Sequence, residues 1–406
     1  MQRRDVLKNL SFLPLTGIAS TGVDGKIFEE KKVLEAPTRN LFEELGVRTF
    51  INAAGTYTFM TGSLMEDKVV KAIQSTSKQF CLLDELQDRV GEKIAALVKS
   101  ESAVVTAGCF SAMTLGLAGV LSGMDLKKVE AIPHLEGTGM KSEVIMQKGH
   151  NVGYSHALLN TGCQIISVET IDDVKNAINE KTAMLWFLNI QSDRGKISHE
   201  EWVALGKQYK IPTMIDIAAD VPPVSNLWKF NEMGFDLVCI SGGKAMRGPQ
   251  SAGLLMGKKD LVDAARLSMP PRGSTIGRGM KINKEEIVGM WVALEYYVSR
   301  DHSADWKTWE DRVATIQKGV NGINGVKTEV KVPTLGNVTP TLHVEWDEAN
   351  VKLNSKQLQE KLRQGSPSIE VVNNGENHIS MTTWMLQAGE ETIVAKRLKE
   401  ELQKAS

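Results

Sequence analysis

Residues 212–257 read PTMIDIAADVPPVSNLWKFNEMGFDLVCISGGKAMRGPQSAGLLMG, and this stretch decides which fold we expect. Three short apolar runs predict buried β-strands at Pro212–Ile217, Asp236–Ser241 and Ala252–Met256. A more polar segment with helical spacing lies between the first two runs. Strands that alternate with amphipathic helices indicate an α/β protein whose sheet is covered on both faces.

The same alternation extends toward the N-terminus. Further strands are predicted at Ser102–Thr106, Glu143–Gln147, Gln164–Val168 and Ala183–Leu188. Right-handed crossovers between parallel strands would place the loops after the strand ends on one side, where the sites of α/β proteins form. We therefore expect a large, mostly parallel sheet domain over residues 46–290.

The alternation changes after residue 284. Helical runs are predicted at Lys284–Val298, Trp306–Val320 and Glu390–Gln403, and short strands at Thr341–Glu345 and Ile369–Val372. This pattern predicts a smaller α+β domain over residues 291–406, which the chain enters through a long helix.

The N-terminal residues differ from the rest. Residues 1–20 read MQRRDVLKNLSFLPLTGIAS, and the arginine pair followed by a weakly apolar stretch resembles a twin-arginine export signal. We expect a leader over residues 1–25, a periplasmic protein, and an irregular arm over residues 26–45. The alternative is a basic tail on a cytoplasmic protein, because the apolar stretch is short, contains Pro14 and lacks a clear A-x-A cleavage site.

Composition excludes several classes of protein. The 406 residues carry a formal net charge of -1 without a long basic run, which argues against a nucleic-acid partner. The sequence contains no run of about 18 apolar residues, so we predict no membrane-spanning helix. The four cysteines lack the spacing of a zinc site or a disulfide framework, so we expect free thiols and no metal.

Two residues in the opening stretch carry the predicted chemistry. Asp216 ends one strand, and Lys244 follows the next strand in the turn SGGK, 28 positions later. A carboxylate and a lysine at consecutive strand ends suit pyridoxal 5′-phosphate: the carboxylate would keep the pyridine nitrogen protonated, and the lysine would form an imine with the aldehyde. Gly242 and Gly243 would let the backbone pass close to the ring.

Taken alone, each residue has an ordinary explanation. Asp216 would then be a turn or helix-capping carboxylate, and Lys244 a solvated surface lysine. Their joint position after two strands favours the cofactor site. Asp220 lies beyond the strand end, and we expect it to tolerate substitution by asparagine.

The segment around Lys244 resembles the lysine region of fold-type-I pyridoxal-phosphate enzymes, which have the aspartate-aminotransferase-like fold. In particular it is similar to the family of selenocysteine synthase (L-seryl-tRNA selenium transferase) and its tRNA-independent relatives, such as D-glucosaminate-6-phosphate ammonia-lyase. The motifs that carry the resemblance are INAAGT at residues 51–56, SGGKAMRGPQSAGLLMG at 241–257, GRGMKINKEEIVGM at 277–290 and AGEETIVAKRL at 388–398.

The resemblance also implies where the cofactor phosphate binds. Gly108-Cys109-Phe110 would open the first large helix, whose free N–H groups and dipole suit an anion. Ser241 would add a hydroxyl group.

Three further residues follow from the resemblance. His150 would stack on the cofactor ring, unless it is a surface loop histidine or His156 has that role. Gln191 is a candidate for a contact with the 3′-oxygen of the cofactor. Arg278 would bind the cofactor phosphate or a substrate anion, unless it is a solvated loop arginine.

The function that the resemblance implies is α,β-elimination from a small amino acid or amino-sugar acid through a Cα carbanion. An aminotransferase or a racemase would use the same lysine, and a non-catalytic binding protein with this fold is a third reading. A tRNA substrate is disfavoured by the charge and by the lack of a long helical domain ahead of INAAGT. The stretch SMTTWMLQAGEE has no arginine for a substrate carboxylate, so its anchoring stays open. We expect a homodimer or a higher homo-oligomer.

Overall fold

The computed structural model describes residues 39–406. Thr49–Ser406 form one compact unit, and the described residues before Thr49 belong to another unit. In that first unit, the described residues contain a short helix, α1, at Leu41–Glu44. The predicted leader and residues 26–38 of the predicted arm lie outside the described residues.

The main unit contains thirteen strands among the described residues. In chain order they are β1 (Ile51–Asn52), β2 (Ser102–Thr106), β3 (Glu143–Gln147), β4 (Gln164–Val168), β5 (Thr182–Leu188), β6 (Thr213–Asp216), β7 (Leu237–Ser241), β8 (Gly253–Gly257), β9 (Val326–Lys331), β10 (Thr341–Trp346), β11 (Ile369–Glu370), β12 (Val372–Gly375) and β13 (His378–Thr382).

Its helices continue the numbering from α1. They are α2 (Asp67–Thr76), α3 (Leu83–Val98), α4 (Gly108–Ser122), α5 (Leu126–Ala131), α6 (His156–Leu159), α7 (Ile171–Ala177), α8 (His199–Tyr209), α9 (Asn226–Met233), α10 (Lys259–Leu267), α11 (Lys284–Ser299), α12 (His302–Val320), α13 (Ser355–Gln364) and α14 (Glu390–Lys404). No helix of residues 39–406 is long and apolar enough to span a membrane.

The large sheet has seven strands in the order β2-β8-β7-β6-β5-β3-β4. All neighbours are parallel except β8, which is antiparallel to both β2 and β7. The neighbours Met214 and Ile215 of β6 pack into different hydrophobic clusters, one on each face of the sheet. The prediction of a mostly parallel sheet covered on both faces is therefore confirmed.

The register of the central strands decides where the site lies. Asp216 of β6 is paired with Leu188, the last residue of β5, and with Cys239 of β7. Three neighbouring parallel strands thus end close together, and the chain leaves each of them at the same edge of the sheet.

The C-terminal part contains an antiparallel sheet in the order β12-β13-β10-β9. Sequence analysis predicted β10 and the region of β11 but missed β9 and β13. A separate parallel pair joins β1 to β11, so that Ile51 and Ala53 of the INAAGT motif pack in the hydrophobic cluster of the C-terminal part.

Candidate active site

Asp216 lies at the carboxyl end of β6 and is buried. Its Oδ1 accepts a hydrogen bond from the backbone N–H of Ala218 at 2.8 Å and another from the thiol of Cys109, with Sγ at 3.3 Å. Burial raises the pKa of Asp216, while these hydrogen bonds and the charge of Lys244 oppose the increase. No described residue donates a hydrogen bond to Oδ2, which is left available to a ligand.

Helix α4 begins beside this carboxylate. Gly108 has a φ of +84°, a left-handed conformation that favours glycine, and no side chain caps the helix at Ala107. Burial, followed by the charge of Asp216, raises the pKa of Cys109 well above its usual value, so the thiol keeps its proton and acts as a donor. The uncapped N–H groups of the first turn therefore lie close to Asp216, and the role of this turn as a phosphate site stays a prediction.

Ser241 ends β7 and is half-buried. Its partner on β8 is Gly253, where a Cβ atom would lie 2.4 Å from the carbonyl carbon of Gly108. Because Gly253 has no side chain, the backbone at the start of α4 packs directly against the strand beside Ser241. The structure thus brings the two predicted phosphate-binding segments together.

Lys244 follows β7 in a tight loop and is half-buried. Gly248 donates its N–H to the carbonyl of Gly242 at 3.0 Å and so closes the loop. A Cβ at Gly242 would lie 2.2 Å from the Sδ atom of Met290, and one at Gly243 would lie 2.4 Å from the Cα of Gln250. We expected these glycines to let the backbone pass close to the cofactor ring. The structure gives them another reason, because Met290 and Gln250 occupy the space that a side chain at either position would need.

An ion-pair network that sequence analysis missed holds this loop. The guanidinium of Arg247 pairs with Glu66 at 3.2 Å and donates to the backbone carbonyl of Trp384 at 2.8 Å. Glu66 also pairs with Arg300, at the end of α11, at 3.0 Å. The lysine loop is thus attached to the SMTTWMLQ segment of the C-terminal part.

Asp220 is a second buried carboxyl group, to which sequence analysis gave no role. Its Oδ1 accepts the backbone N–H of Gly336 at 3.1 Å, and the side chain of Asn189 also bonds to it. Burial raises the pKa of Asp220 to about 7; the bond from Asn189 lowers the pKa, and the charge of Asp216 raises it. The sequence signal was present in IDIAAD, where a second aspartate follows three apolar residues at a strand end.

Gln191 lies in the 3-10 segment Asn189–Arg194, which directly follows β5. The last residue of β5, Leu188, is paired with Asp216 in the sheet. Its Oε1 is buried and finds no hydrogen-bond donor among the described residues. A buried acceptor without a donor is unfavourable unless a ligand supplies one.

Among the described residues, neither His150 nor Arg278 forms a hydrogen bond or an ion pair with Asp216 or Lys244, although His150 contacts Leu188, the partner of Asp216 in the sheet. His150 is fully buried, its ring lies edge-on to Phe187 at 4.5 Å, and its Nδ1 accepts the N–H of Leu188 at 3.2 Å. Burial lowers its pKa to about 4, so the ring is neutral. Its rival His156 is exposed at the start of α6, and Arg278 is exposed and has no ion-pair partner among the described residues.

The fold defines the class of protein. The structure matches an aspartate aminotransferase from Thermus thermophilus with a TM-score of 0.55 over 88% of this chain and 99% of that chain, at 12% identity. It also matches the structure of D-glucosaminate-6-phosphate ammonia-lyase with a TM-score of 0.79, at 25% identity, over 91% of this chain and all of that chain. The fold is thus of the aspartate-aminotransferase-like type, as the sequence predicted.

The sequence defines the family. The model of L-seryl-tRNA selenium transferase (SelA) matches residues 50–317, and the chain belongs to this family of fold-type-I pyridoxal-phosphate enzymes. D-glucosaminate-6-phosphate ammonia lyase of Salmonella typhimurium is 26% identical over 343 residues, which are 82% of this chain and 89% of the relative. The chain is therefore an enzyme.

Proposed function

We propose that this chain binds pyridoxal 5′-phosphate on Lys244 and catalyses α,β-elimination from a small amino acid or amino-sugar acid. The observation that carries the proposal is the meeting of three groups at one sheet edge. They are the carboxylate of Asp216, the loop of Lys244 and the uncapped start of α4.

The residues present fit this cofactor. Oδ2 of Asp216 is free to accept a hydrogen bond from the protonated ring nitrogen. The first turn of α4 would hold the phosphate, with the hydroxyl of Ser241 beside it. The unpaired Oε1 of Gln191 is suited to a hydroxyl donor on the cofactor or the substrate.

When bound, the cofactor supplies an electron-withdrawing ring that stabilises negative charge at the substrate Cα. Lys244 would hold the cofactor, and its free amine would accept the Cα proton as general base. The hydrogen bonds from Cys109 and Ala218 favour the ionised form of Asp216 and so oppose the effect of its burial. The burial of Asp216 strengthens its electrostatic contacts.

The substrate class is supported by the relative in Salmonella typhimurium, whose name specifies an amino-sugar acid and the release of ammonia. Loss of the Cα proton and of a β-hydroxyl group would give an enamine and water. Tautomerisation and hydrolysis of the enamine would then give ammonia and a 2-keto acid. A tRNA substrate is disfavoured by the net charge of -1.

A substrate screen tests the proposal. The protein reconstituted with the cofactor is incubated with amino acids and amino-sugar acids, and ammonia and keto acid are measured, with Lys244→Ala as the control. We expect both products in equal amounts from at least one β-hydroxy substrate. Keto acid formed only when a second keto acid accepts the amino group would indicate an aminotransferase, and racemisation without ammonia a racemase.

Two further proposals concern the oligomeric state of the enzyme and its location in the cell. We propose a homo-oligomer, because sites of this fold commonly lie at a subunit interface; light scattering of the purified protein would reveal a monomer if this is wrong.

We also propose export by the twin-arginine route. Replacing both Arg3 and Arg4 with lysine should then keep the protein in the cytosol, and wild-type protein found only in the cytosol would refute the export.

A further inference from the structure

A small cavity lies over the carboxyl ends of β3 and β4, and we call it the Glu169 pocket. Its volume is about 280 Å³, and the charged residues that line it are Lys148, Glu169, Arg194 and Lys196. Gln147 and Val168, which end the two strands and are paired with each other, also line it. The proposed reaction uses none of the four charged residues.

The charged side chains leave the Glu169 pocket with an excess of positive charge. Lys148 and Lys196 both pair with the carboxylate of Glu169, one on each oxygen, and each N–O distance is 3.1 Å. Arg194 lines the same cavity and forms no ion pair with a carboxylate of residues 39–406. Three cations therefore share one anion, which suits a ligand that carries two negative charges.

The cations keep donors free for such a ligand. Each lysine ammonium has three N–H groups and uses one of them for Glu169. The lysine side chains are 72% and 67% exposed, and exposed ion pairs contribute little to stability, so a dianion can compete with Glu169 for both. The planar guanidinium of Arg194 matches the bidentate geometry of a phosphate.

The floor of the pocket is tightly packed. The side-chain amide of Gln147 accepts the N–H of Ile197 at 2.8 Å and donates to its carbonyl at 3.0 Å. A Cβ atom at Gly195 would lie 2.5 Å from Oε1 of Gln147, and one at Gly149 would lie 2.3 Å from the carbonyl oxygen of Arg194. The two loops that carry the cations are therefore in direct contact without a ligand, which lowers the entropic cost of binding one.

Each of these two loops also contains a residue that is predicted to contact the cofactor. His150 directly follows Gly149, and Gln191 precedes Arg194 in the segment after β5. Only β5 separates β3 from β6, and neighbouring strands are about 4.8 Å apart, so the end of β3 lies about 10 Å from the end that carries Asp216. The Glu169 pocket therefore lies at the same sheet edge as the proposed active site.

We propose that the Glu169 pocket binds a phosphate group through Lys148, Arg194 and Lys196. The phosphate comes either from the far end of the substrate or from a free phosphate ion, and in both cases two ammonium groups and a guanidinium recognise a dianion. Glu169 limits the affinity, because it competes with the phosphate for both lysines. Only the first of the two sources rests on the proposed function.

Calorimetric titration of the full-length protein with inorganic phosphate tests the pocket. The cofactor-loaded protein is used, because the start of α4 would otherwise offer a second phosphate site. We expect Lys196→Ala and Arg194→Ala each to raise the Kd roughly tenfold, or about 1.4 kcal/mol. Lys331→Ala is the matched control, since Lys331 forms a similarly exposed ion pair, with Glu329 at 2.8 Å, in the other sheet.

Glu169→Gln gives a result of the opposite sign. Loss of the competing carboxylate should lower the Kd for phosphate roughly threefold or more, whereas a pocket that depended on its ion pairs for order would bind phosphate more weakly. A wild type that binds no phosphate, an unchanged Kd in Lys196→Ala, or weaker binding in Glu169→Gln would overturn the proposal. A protein that takes up no cofactor would refute the proposed function, while the differences between these variants would still test the pocket.

Turnover separates the two sources of the phosphate. An amino-sugar acid is compared with and without a terminal phosphate group. If the pocket holds the phosphate of the substrate, Lys196→Ala should raise KM for the phosphorylated form with kcat unchanged and leave the other form unaffected. If it holds a free ion, inorganic phosphate should change the turnover of the unphosphorylated form, and Lys196→Ala should abolish that effect.

Discussion

The Sγ atom of Cys109 lies 3.3 Å from Oδ1 of Asp216, so a thiol joins the first turn of α4 to the carboxylate at the end of β6. This contact links two functions that the sequence suggested separately, the phosphate site and the partner of the ring nitrogen. Cys109 was predicted as a phosphate-binding residue through its backbone, and the structure gives its side chain a second role as a hydrogen-bond donor.

Removing that donor tests the link. Cys109→Ala should lower kcat roughly tenfold, because hydrogen bonds to charged groups contribute about 1.5–3 kcal/mol and a thiol is a weak donor. Cys109→Ser keeps a donor and should retain most of the activity. Cys163→Ala, at another buried cysteine, is the matched control for the loss of a side chain in the core. Equal losses in Cys109→Ala and Cys163→Ala would show that the contact with Asp216 is unimportant.

Asp216→Asn should leave the cofactor attached to Lys244 but lower kcat by roughly a hundredfold or more, since about 1.4 kcal/mol of transition-state stabilisation corresponds to each tenfold step. KM should change little because the contact acts mainly in the transition state. From the sequence alone, Asp220→Asn was expected to be tolerated. Because Asp220 is buried and bonded to Gly336 and Asn189, we now expect a loss that is smaller than that of Asp216→Asn. Near-normal turnover in Asp216→Asn would mean that the site has been assigned to the wrong residues.

His150 should make the protein less stable in acid. Its pKa in the folded protein is about 4, below the ordinary value of 6.5, so its contribution is complete above pH 6.5 and is lost as the pH falls toward 4. The loss amounts to about 3 kcal/mol at most, at 1.36 kcal/mol for each pKa unit. Urea denaturation between pH 7.5 and 4.5 should show a shallower pH dependence in His150→Gln and an unchanged one in His156→Gln, which alters an exposed histidine. Identical slopes in the wild type and His150→Gln would contradict the assignment.

The lysine loop should not accept a side chain at Gly243. A Cβ atom there would lie 2.4 Å from the backbone of Gln250, and overpacking of this kind costs about 1–3 kcal/mol. Gly243→Ala should lower Tm and weaken cofactor binding, because the loop that holds Lys244 would have to move. Gly279→Ala is the control, since nothing lies within 4 Å of a Cβ at that position. An unchanged Tm in Gly243→Ala would show that the loop is loosely packed.

The sequence predicted the large sheet well because its strands are continuous apolar runs. The bounds of Ser102–Thr106, Glu143–Gln147 and Gln164–Val168 were predicted to the residue. The strands Val326–Lys331 and His378–Thr382 were missed because one face of each is polar, and a period of two over five or six residues is a weak signal.

Within the site, the sequence identified residues placed by local structure and missed those placed by distant contacts. Asp216 ends one apolar strand and Lys244 closely follows another, so the local sequence pattern is enough to identify both residues. Asp220 acquires its surroundings from Gly336, which lies 116 positions later, and no local pattern indicates that contact. The stacking role of His150 stays a prediction: its ring lies against Phe187 and Leu188 of β5, and Leu188 is paired with Asp216.

The central claim is that Lys244 carries the cofactor, and borohydride reduction followed by peptide mapping tests it most directly. The isolated protein should be yellow, and reduction should abolish the absorption band and leave the reduced cofactor on the peptide that contains Lys244. Lys244→Ala should lack the covalent link while keeping its fold. Reduced cofactor found on Lys141 or Lys281 instead would contradict the account.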